Sequence, residues 1–467
     1  MKESKTAIHT SVDYLYFVIL TITLAAGGTA AGSILRDQEV FTALLDSDVF
    51  LFYSEIGLGL APLFFTLLVW RLWLFSRYRP FAPIGDNDLP SITIIIPAYN
   101  EGRQVLSTIR SVMASDYPRD KMRVICVDDG SRDDTWQWMT KAAREFPDRV
   151  RLVRQPRNMG KRHALLAGFR RARGSSVFVT LDSDSEILGH TLRHLVTPFV
   201  CSPRVGAVAG NVRVLNIAGG PIPKMLDVSF TLSFDFLRRG QSVYGGVLCT
   251  PGALSAYRAS VVVPELGAWA DQGFLGRAAN IGEDRALSNI VLRQGFRVVY
   301  QKNAVVLTTI PETYQGLYRM LLRWARSNVR ECLVMAQYLY RGFRRQDQGA
   351  GWLRLAGTME LLILPLAETM KVGLLLHLLF HPLITLPVLA TGCAMSAALP
   401  AVVYQFRRPG LYGCVWALAY CAFWLTCLSW ISAWGLFSAG CSGWLTRGMA
   451  GARPQLALAV EKRSEAI

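Results

Sequence analysis

From about Pro83 to Arg345, short apolar runs rich in β-branched residues alternate with amphipathic stretches of helical period. Ser91–Ile96, Arg123–Val127, Arg149–Val153 and Val177–Leu181 read as strands. Gln104–Met113, Thr135–Glu145 and Arg162–Ala172 read as the helices between them. Such alternation predicts an α/β domain with a doubly wound, mostly parallel sheet. Beyond Asp184 the pattern loosens: Val205–Val214 reads as a long strand, Phe230–Arg239 as a helix, and a further α/β unit closes near Arg297–Tyr300. Thr313–Arg345 carries apolar residues at helical spacing among Arg319, Arg323, Arg326, Arg330, Arg341, Arg344 and Arg345. That pattern suits a membrane-interface helix, or a surface helix covering the core.

Longer apolar runs collect at the two ends. Tyr14–Ile34 and Val49–Phe75 precede the mixed region; Met359–Phe380, Ile384–Tyr404 and Leu411–Leu445 follow it. Each approaches or exceeds the roughly 20 residues that span hydrocarbon. The last run is long enough for two tightly connected spans, giving two spans before the central domain and four after it. The expected plan is two spanning helices in 1–82, a catalytic domain in 83–312 and amphipathic interface helices in 313–350. Four spans in 351–446 and a cytoplasmic tail in 447–467 complete it.

Composition agrees with that division. The 467 residues are 51% hydrophobic, and the mean hydropathy is +0.27, too apolar for an ordinary soluble enzyme. The net charge of +16 is concentrated beside the apolar runs, with Arg71, Arg77 and Arg79 after the second run and Arg407 and Arg408 after the fourth. The link between the first two is acidic, with Asp37, Glu39, Asp46 and Asp48. Positive residues stay cytoplasmic, which places the central domain on the cytoplasmic side of a multi-pass protein of the inner (plasma) membrane. No basic stripe interleaved with aromatics stands apart from the membrane ends, so nucleic acid is not an expected partner. The nine cysteines show no metal-binding or redox spacing and read as small buried hydrophobes.

Acidic residues mark the ends of the apolar strands. Asp128 and Asp129 stand in "VICVDDGS", Asp182 and Asp184 in "VFVTLDSDS", and Glu283 and Asp284 in "NIGEDRAL". The carboxyl edge of a parallel sheet is where open α/β folds bind ligands. Two carboxylates at i and i+2 suit a divalent metal against a diphosphate, although such a pair also caps helices. Asp128 and Asp129 suit either an Asx turn or a contact to base or ribose. Asp284 suits a general base or a surface ion pair with its neighbours. Pro97, Tyr99 and Glu101 follow the first strand in "IIIPAYNE", with Tyr99 offering either a face for a nucleobase or a core aromatic. Lys161–Arg162 put positive charge at a helix start. Arg323–Trp324 pair a fixed cation with an aromatic face, suited to phosphate and sugar or to packing at the membrane interface.

Taken in order, "PAYNE", "VDDGS", "NMGKRHAL", "LDSDS", "GEDRAL" and "LRWARS" resemble the processive membrane glycosyltransferases of family 2, the hyaluronan, chitin and cellulose synthase group. The resemblance implies a GT-A-like domain between transmembrane helices that polymerises a β-linked polysaccharide from a UDP-sugar with Mg2+ or Mn2+. It implies Pro97, Tyr99, Glu101, Asp128 and Asp129 around the uridine, Lys161 and Arg323 at the diphosphate, and Asp182 near ribose, phosphate and metal. Asp184 falls on the metal, Asp284 becomes the catalytic base, and Trp324 and Glu283 face the acceptor. Implied partners are the UDP-sugar, the growing polysaccharide, the lipid bilayer and export or accessory proteins. Met320 departs from the family's Gln-x-x-Arg-Trp pattern, which leaves transfer of a single sugar to a lipid-linked acceptor as the alternative.

Overall fold

The computed structural model describes residue 42 and residues 48–172, 174–342, 347, 349–407 and 413–441. The expected first span (Tyr14–Ile34), the basic tail after Leu445, and Asp37, Glu39, Asp46, Arg344, Arg345 and Arg408 lie outside the described residues.

Helix α1 (Asp48–Arg77) leads into β1 (Ile92–Ala98), α2 (Gln104–Met113), β2 (Met122–Asp128), α3 (Thr135–Glu145) and β3 (Val150–Arg154). Helix α4 (Lys161–Arg171), β4 (Val177–Leu181), β5 (Ser185–Ile187), α5 (Thr191–Cys201) and β6 (Val205–Val214) follow. Helix α6 (Pro221–Thr231) passes through a π-helical turn (Leu232–Phe236) into α7 (Leu237–Val243). Next come β7 (Leu254–Arg258), the small hairpin of β8 (Gly273–Phe274) and β9 (Arg277–Ala278), α8 (Glu283–Arg293), β10 (Arg297–Thr308) and α9 (Tyr314–Leu339).

One eight-stranded sheet, ordered β3-β2-β1-β4-β7-β6-β10-β5, carries the domain. Strands β1 to β4 pair in parallel, and β6 pairs in parallel with β10. Strand β7 runs antiparallel between β4 and β6, and β5 runs antiparallel on the edge. Every residue of β1 is buried, as a parallel strand covered on both faces requires. Ile92, Ile94 and Ile96 pack with Val105, Leu106 and Ile109 of α2, whereas Ile95 faces Leu165 and Phe169 of α4. The period of two thus divides the core into two layers. Because β1, β2 and β4 are parallel, Tyr99, Asp129 and Asp182 leave the sheet at one edge. Antiparallel β7 brings its preceding residues, Pro251 and Gly252, back to that same edge, with Leu254 opposite Leu181.

After α9 come α10 (Gly349–Phe380), α11 (Pro382–Arg407), and α12 (Gly413–Phe423), which continues through a second π-helical turn into α13 (Ser429–Phe437). Two helices among the described residues are long and apolar enough to cross a membrane, Gly349–Phe380 and Val415–Phe437. The run read as two short spans is therefore, over its described part, one continuous helix. Its length of roughly 37 Å at 1.5 Å per residue fits a single tilted crossing. Against the expected four, three helices follow α9 among the described residues. Helix α9 lies between the domain and this apolar group: Arg326 Nε donates to Ser438 Oγ at 2.9 Å, and its Gly316 amide donates to the capping Thr313 hydroxyl at 3.3 Å.

Candidate active site

A cleft at the carboxyl edge of the sheet is lined by Pro97, Lys161, Asp182, Gly252, Glu283 and Asp284, among others. Lys161 is the first residue of α4 and 5% exposed. Its Nζ lies 2.5 Å from Asp182 Oδ1 and 3.0 Å from Glu283 Oε1. Burial alone would depress the ammonium; Asp182 and Glu283 more than reverse this and raise it above the usual lysine range.

Glu283 and Asp284 open α8, and their environments push them apart. Burial would raise Glu283, but Lys161 and Arg323 pull it down to about 2, so it stays ionised. Asp284 is raised, by burial first and then by the charge of Glu283 beside it. The Gly252 N–H donates to Asp284 Oδ2 at 3.2 Å, and the Arg285 N–H donates to Oδ1 at 2.7 Å. Cys249 Sγ stands 3.8 Å from Oδ2. A neighbouring pair in which one carboxyl stays charged while the other is poised for protonation is the arrangement acid–base chemistry uses.

Gly252 is the point on which the site converges. A Cβ there would lie 2.6 Å from Lys161 Nζ, 3.6 Å from Asp182 Oδ2 and 3.8 Å from Asp284 Oδ2. The family resemblance implies that "CTPGALSAYR" (Cys249–Arg258) is an acceptor-site loop, within which Pro251 and Gly252 read locally as turn residues. The antiparallel entry into β7 is a long-range fact that local periodicity does not carry.

Gly282, the residue before α8, adopts φ +71°. A Cβ there would also meet Ser327 Cβ at 2.5 Å, so the turn that presents Glu283 and Asp284 is pressed against α9. Arg330 donates to the Ile281 carbonyl. Its Nε pairs with Glu331 at 3.0 Å, which also accepts from Asn289 and Gln272. Gln272 in turn accepts from Arg162 at 2.8 Å. Arg162, read with Lys161 as an anion site, is instead turned inward. It lies over the Trp269 ring at 5.4 Å, and burial lowers it to about 10.

The remaining candidates do not line this cleft. Asp129 is buried, and its two oxygens accept from the Met159 and Gly160 amides at 2.8 and 2.9 Å, directly before Lys161. Asp128 closes its own turn through the Ser131 amide at 2.9 Å and pairs with Arg154 at 3.3 Å. Tyr99 and Glu101 are half-buried past β1, where the Glu101 N–H donates to Thr135 Oγ1 at 2.8 Å. Asp184 accepts from Ser185 Oγ at 3.3 Å and does not line the cleft. Arg323 does not line it either, although its charge reaches Glu283 and Asp284. Trp324, 36% exposed, packs against Phe230 and Phe234 at 6.1 and 6.4 Å. Met320 is buried in the apolar core.

Among the described residues no group of three or more His, Cys, Asp or Glu side chains gathers as a metal site. Asp182 and Asp184 are nevertheless hard oxygen donors, and a two-carboxylate set fits Mg2+ or Mn2+ when substrate phosphates complete the shell.

An α/β domain with acidic strand ends and a buried lysine at its ligand edge defines a nucleotide-sugar transferase architecture. The chain belongs to the family described as "Glycosyltransferase like family 2", whose sequence profile matches residues 90–327. It is 33% identical over 280 residues to an N-acetylglucosaminyltransferase of Rhizobium meliloti (strain 1021), covering 59% of this chain and 65% of that one. It is 34% identical over 274 residues to a hyaluronan synthase of Streptococcus pyogenes serotype M3 (strain ATCC BAA-595 / MGAS315), covering 58% and 64%. The match thus spans less than two thirds of the length of these curated relatives. Among solved structures it is similar to the mannosyltransferase PcManGT from Pyrobaculum calidifontis in complex with GDP-Man and Mn2+. There the TM-score is 0.52 and the identity 24%, over 79% of this chain and 97% of that one. That likeness bears out the GT-A-like fold.

Proposed function

We propose that the protein is an inverting, metal-dependent glycosyltransferase that extends a β-linked polysaccharide from a UDP-sugar, UDP-N-acetylglucosamine or a related UDP-hexose. The observation that carries this reading is the convergence of Lys161, Asp182 and Asp284 on Gly252, with Glu283 paired to Lys161. Its similarity to an N-acetylglucosaminyltransferase and a hyaluronan synthase supports the substrate class.

In this mechanism Asp284 takes the proton of an acceptor hydroxyl as that oxygen bonds to the anomeric carbon and the bond from that carbon to the diphosphate oxygen breaks. The single displacement inverts the anomeric centre and releases UDP. The raised proton affinity of Asp284 suits a group that must accept a proton from the attacking hydroxyl. Lys161 draws the diphosphate toward the sheet edge, and Arg323 adds positive charge on the same side. A Mg2+ or Mn2+ held by Asp184 and Asp182 would, when bound, neutralise charge on the departing diphosphate. Pro97, Tyr99, Glu101 and Asp128 border the nucleotide, and Asp129 acts on it through the loop ahead of Lys161. Trp324 and Glu283 face the acceptor.

Helix α10 exposes Leu362, Val372, Leu375, Leu376, Leu379 and Phe380, and only 6% of its apolar window is buried. A soluble core helix would hide this surface; a bilayer accommodates it. We therefore place the helices after the domain in the inner (plasma) membrane, with the catalytic domain cytoplasmic and the product passing outward. Export or accessory proteins would act at that exit. The buried, apolar Met320 supports a second reading, transfer of one sugar to a lipid-linked acceptor.

The test is UDP release by the full chain in detergent from a panel of UDP-sugars, with Mg2+, Mn2+ or chelator, and with product length resolved. Metal-dependent release with a ladder of long products is expected. A single addition would favour the second reading, and no release from any donor would overturn both.

A further inference from the structure

Two consecutive arginines on α7 are equally hidden and differently treated. Arg238 is 7% exposed and Arg239 8%. Arg239 is neutralised by Asp235, with contacts of 2.5 and 3.0 Å. Arg238 makes no ion pair among the described residues, and its Nε is buried with no hydrogen-bond partner. Burying a guanidinium without a carboxylate is costly, and a buried donor left unmade calls for a reason beyond packing.

Its position supplies one. The Arg238 guanidinium lies 4.9 Å from the Phe234 ring centre, and Phe234 packs edge-on against Trp324. On its other side Arg238 reaches the Cys249 thiol, which stands 3.8 Å from Asp284 Oδ2. Arg238 thus lies between the aromatic platform and the candidate base. The π-helical turn Leu232–Phe236 comes directly before α7. Its wider winding re-phases α7 relative to α6, as such bulges commonly do at functional sites.

We propose that Arg238 is an acceptor-binding residue, donating to hydroxyl or acyl oxygens of the sugar that rests on Trp324 and holding its reactive hydroxyl toward Asp284. The inference rests on the glycosyltransferase reading but needs no turnover to be tested. The cation–π contact with Phe234 holds the guanidinium beside the platform and leaves its Nε–H for the ligand. Arg239, satisfied by Asp235, holds the helix.

The experiment is calorimetric binding of UDP, and separately of a β-1,4-linked N-acetylglucosamine tetrasaccharide and a glucose tetrasaccharide, to the detergent-solubilised full chain. Wild type is compared with Arg238→Gln and Arg238→Lys. Loss of charge-assisted hydrogen bonds is expected to weaken tetrasaccharide binding roughly tenfold to a hundredfold in Arg238→Gln. Arg238→Lys is expected to recover part of this, and UDP affinity to stay unchanged. Tetrasaccharide affinity that survives Arg238→Gln overturns the assignment. So does wild-type protein that binds UDP and neither tetrasaccharide, or a parallel fall in UDP affinity. Failure of the broader reading shows separately, as absence of UDP release from every donor.

Discussion

The backbone N–H of Gly252 donates to the Asp284 carboxylate across 3.2 Å, joining the strand that runs against its neighbours to the first turn of α8. That contact orients the candidate base without adding a charge to the cleft.

Asp284→Asn keeps the shape of this side chain and removes its proton affinity. UDP release is expected to fall at least about a hundredfold while the variant stays folded. In wild type the rate should climb with pH through a midpoint above the ordinary aspartate range, because Asp284 is raised. A raised carboxyl favours the fold below its unfolded pKa and loses that contribution as pH rises through its folded value. Asp284→Asn is therefore expected to be at least as stable as wild type near pH 7, judged by thermal unfolding in detergent. Near-normal turnover in this variant would remove Asp284 from the mechanism.

Glu283 has the opposite sign. Its folded pKa of about 2 lies below the ordinary glutamate value. Its stabilisation is present above that ordinary value and disappears as pH falls toward 2. Glu283→Gln leaves Lys161 with one carboxylate and is expected to cost about 3 kcal/mol at pH 7. Denaturant unfolding at pH 7 and at pH 3 should show the gap between variant and wild type narrowing in acid.

Gly252→Ala introduces a methyl 2.6 Å from Lys161 Nζ. The ammonium is the mobile end of a long side chain, so the fold should survive while the ion pairs shift. The donor KM is expected to rise about tenfold, the scale of one lost charge-assisted contact, with little change in unfolding midpoint. Unaltered donor kinetics would mean that the lysine position does not matter to the nucleotide.

Met320→Gln introduces the glutamine of the Gln-x-x-Arg-Trp pattern but places an amide in an apolar cluster. It is expected to destabilise by about 1–3 kcal/mol, measured by denaturant unfolding. Longer products from this variant would show that the methionine limits chain extension.

The local grammar of the domain was legible. Strand β4 lies where the β-branched run placed it, and α2 and α3 match their amphipathic stretches. Asp182, Glu283 and Asp284 meet with Lys161 because each follows a strand or opens a helix at one edge, which motif order conveys. Contacts between distant parts of the chain were not legible. Nothing in "CTPGAL" announces an antiparallel β7, and nothing in "VDDGS" says that Asp129 is engaged by the Met159 and Gly160 amides. Nothing in "FLRRGQ" separates the paired Arg239 from the unpaired Arg238. Arg162 misled for the same reason, since a charged residue at a helix start can turn toward solvent or toward a buried tryptophan with no local sign of which.

The close packing of Gly282 against Ser327 has a mechanical outcome. The turn bearing Asp284 rides on the same helix that carries Trp324, so the candidate base and the candidate platform move as one body. On the proposed reading, an acceptor hydroxyl would be gauged against that fixed body. The spacing between Asp284 and Trp324 is thereby set by one helix, not by the apolar helices packed behind it.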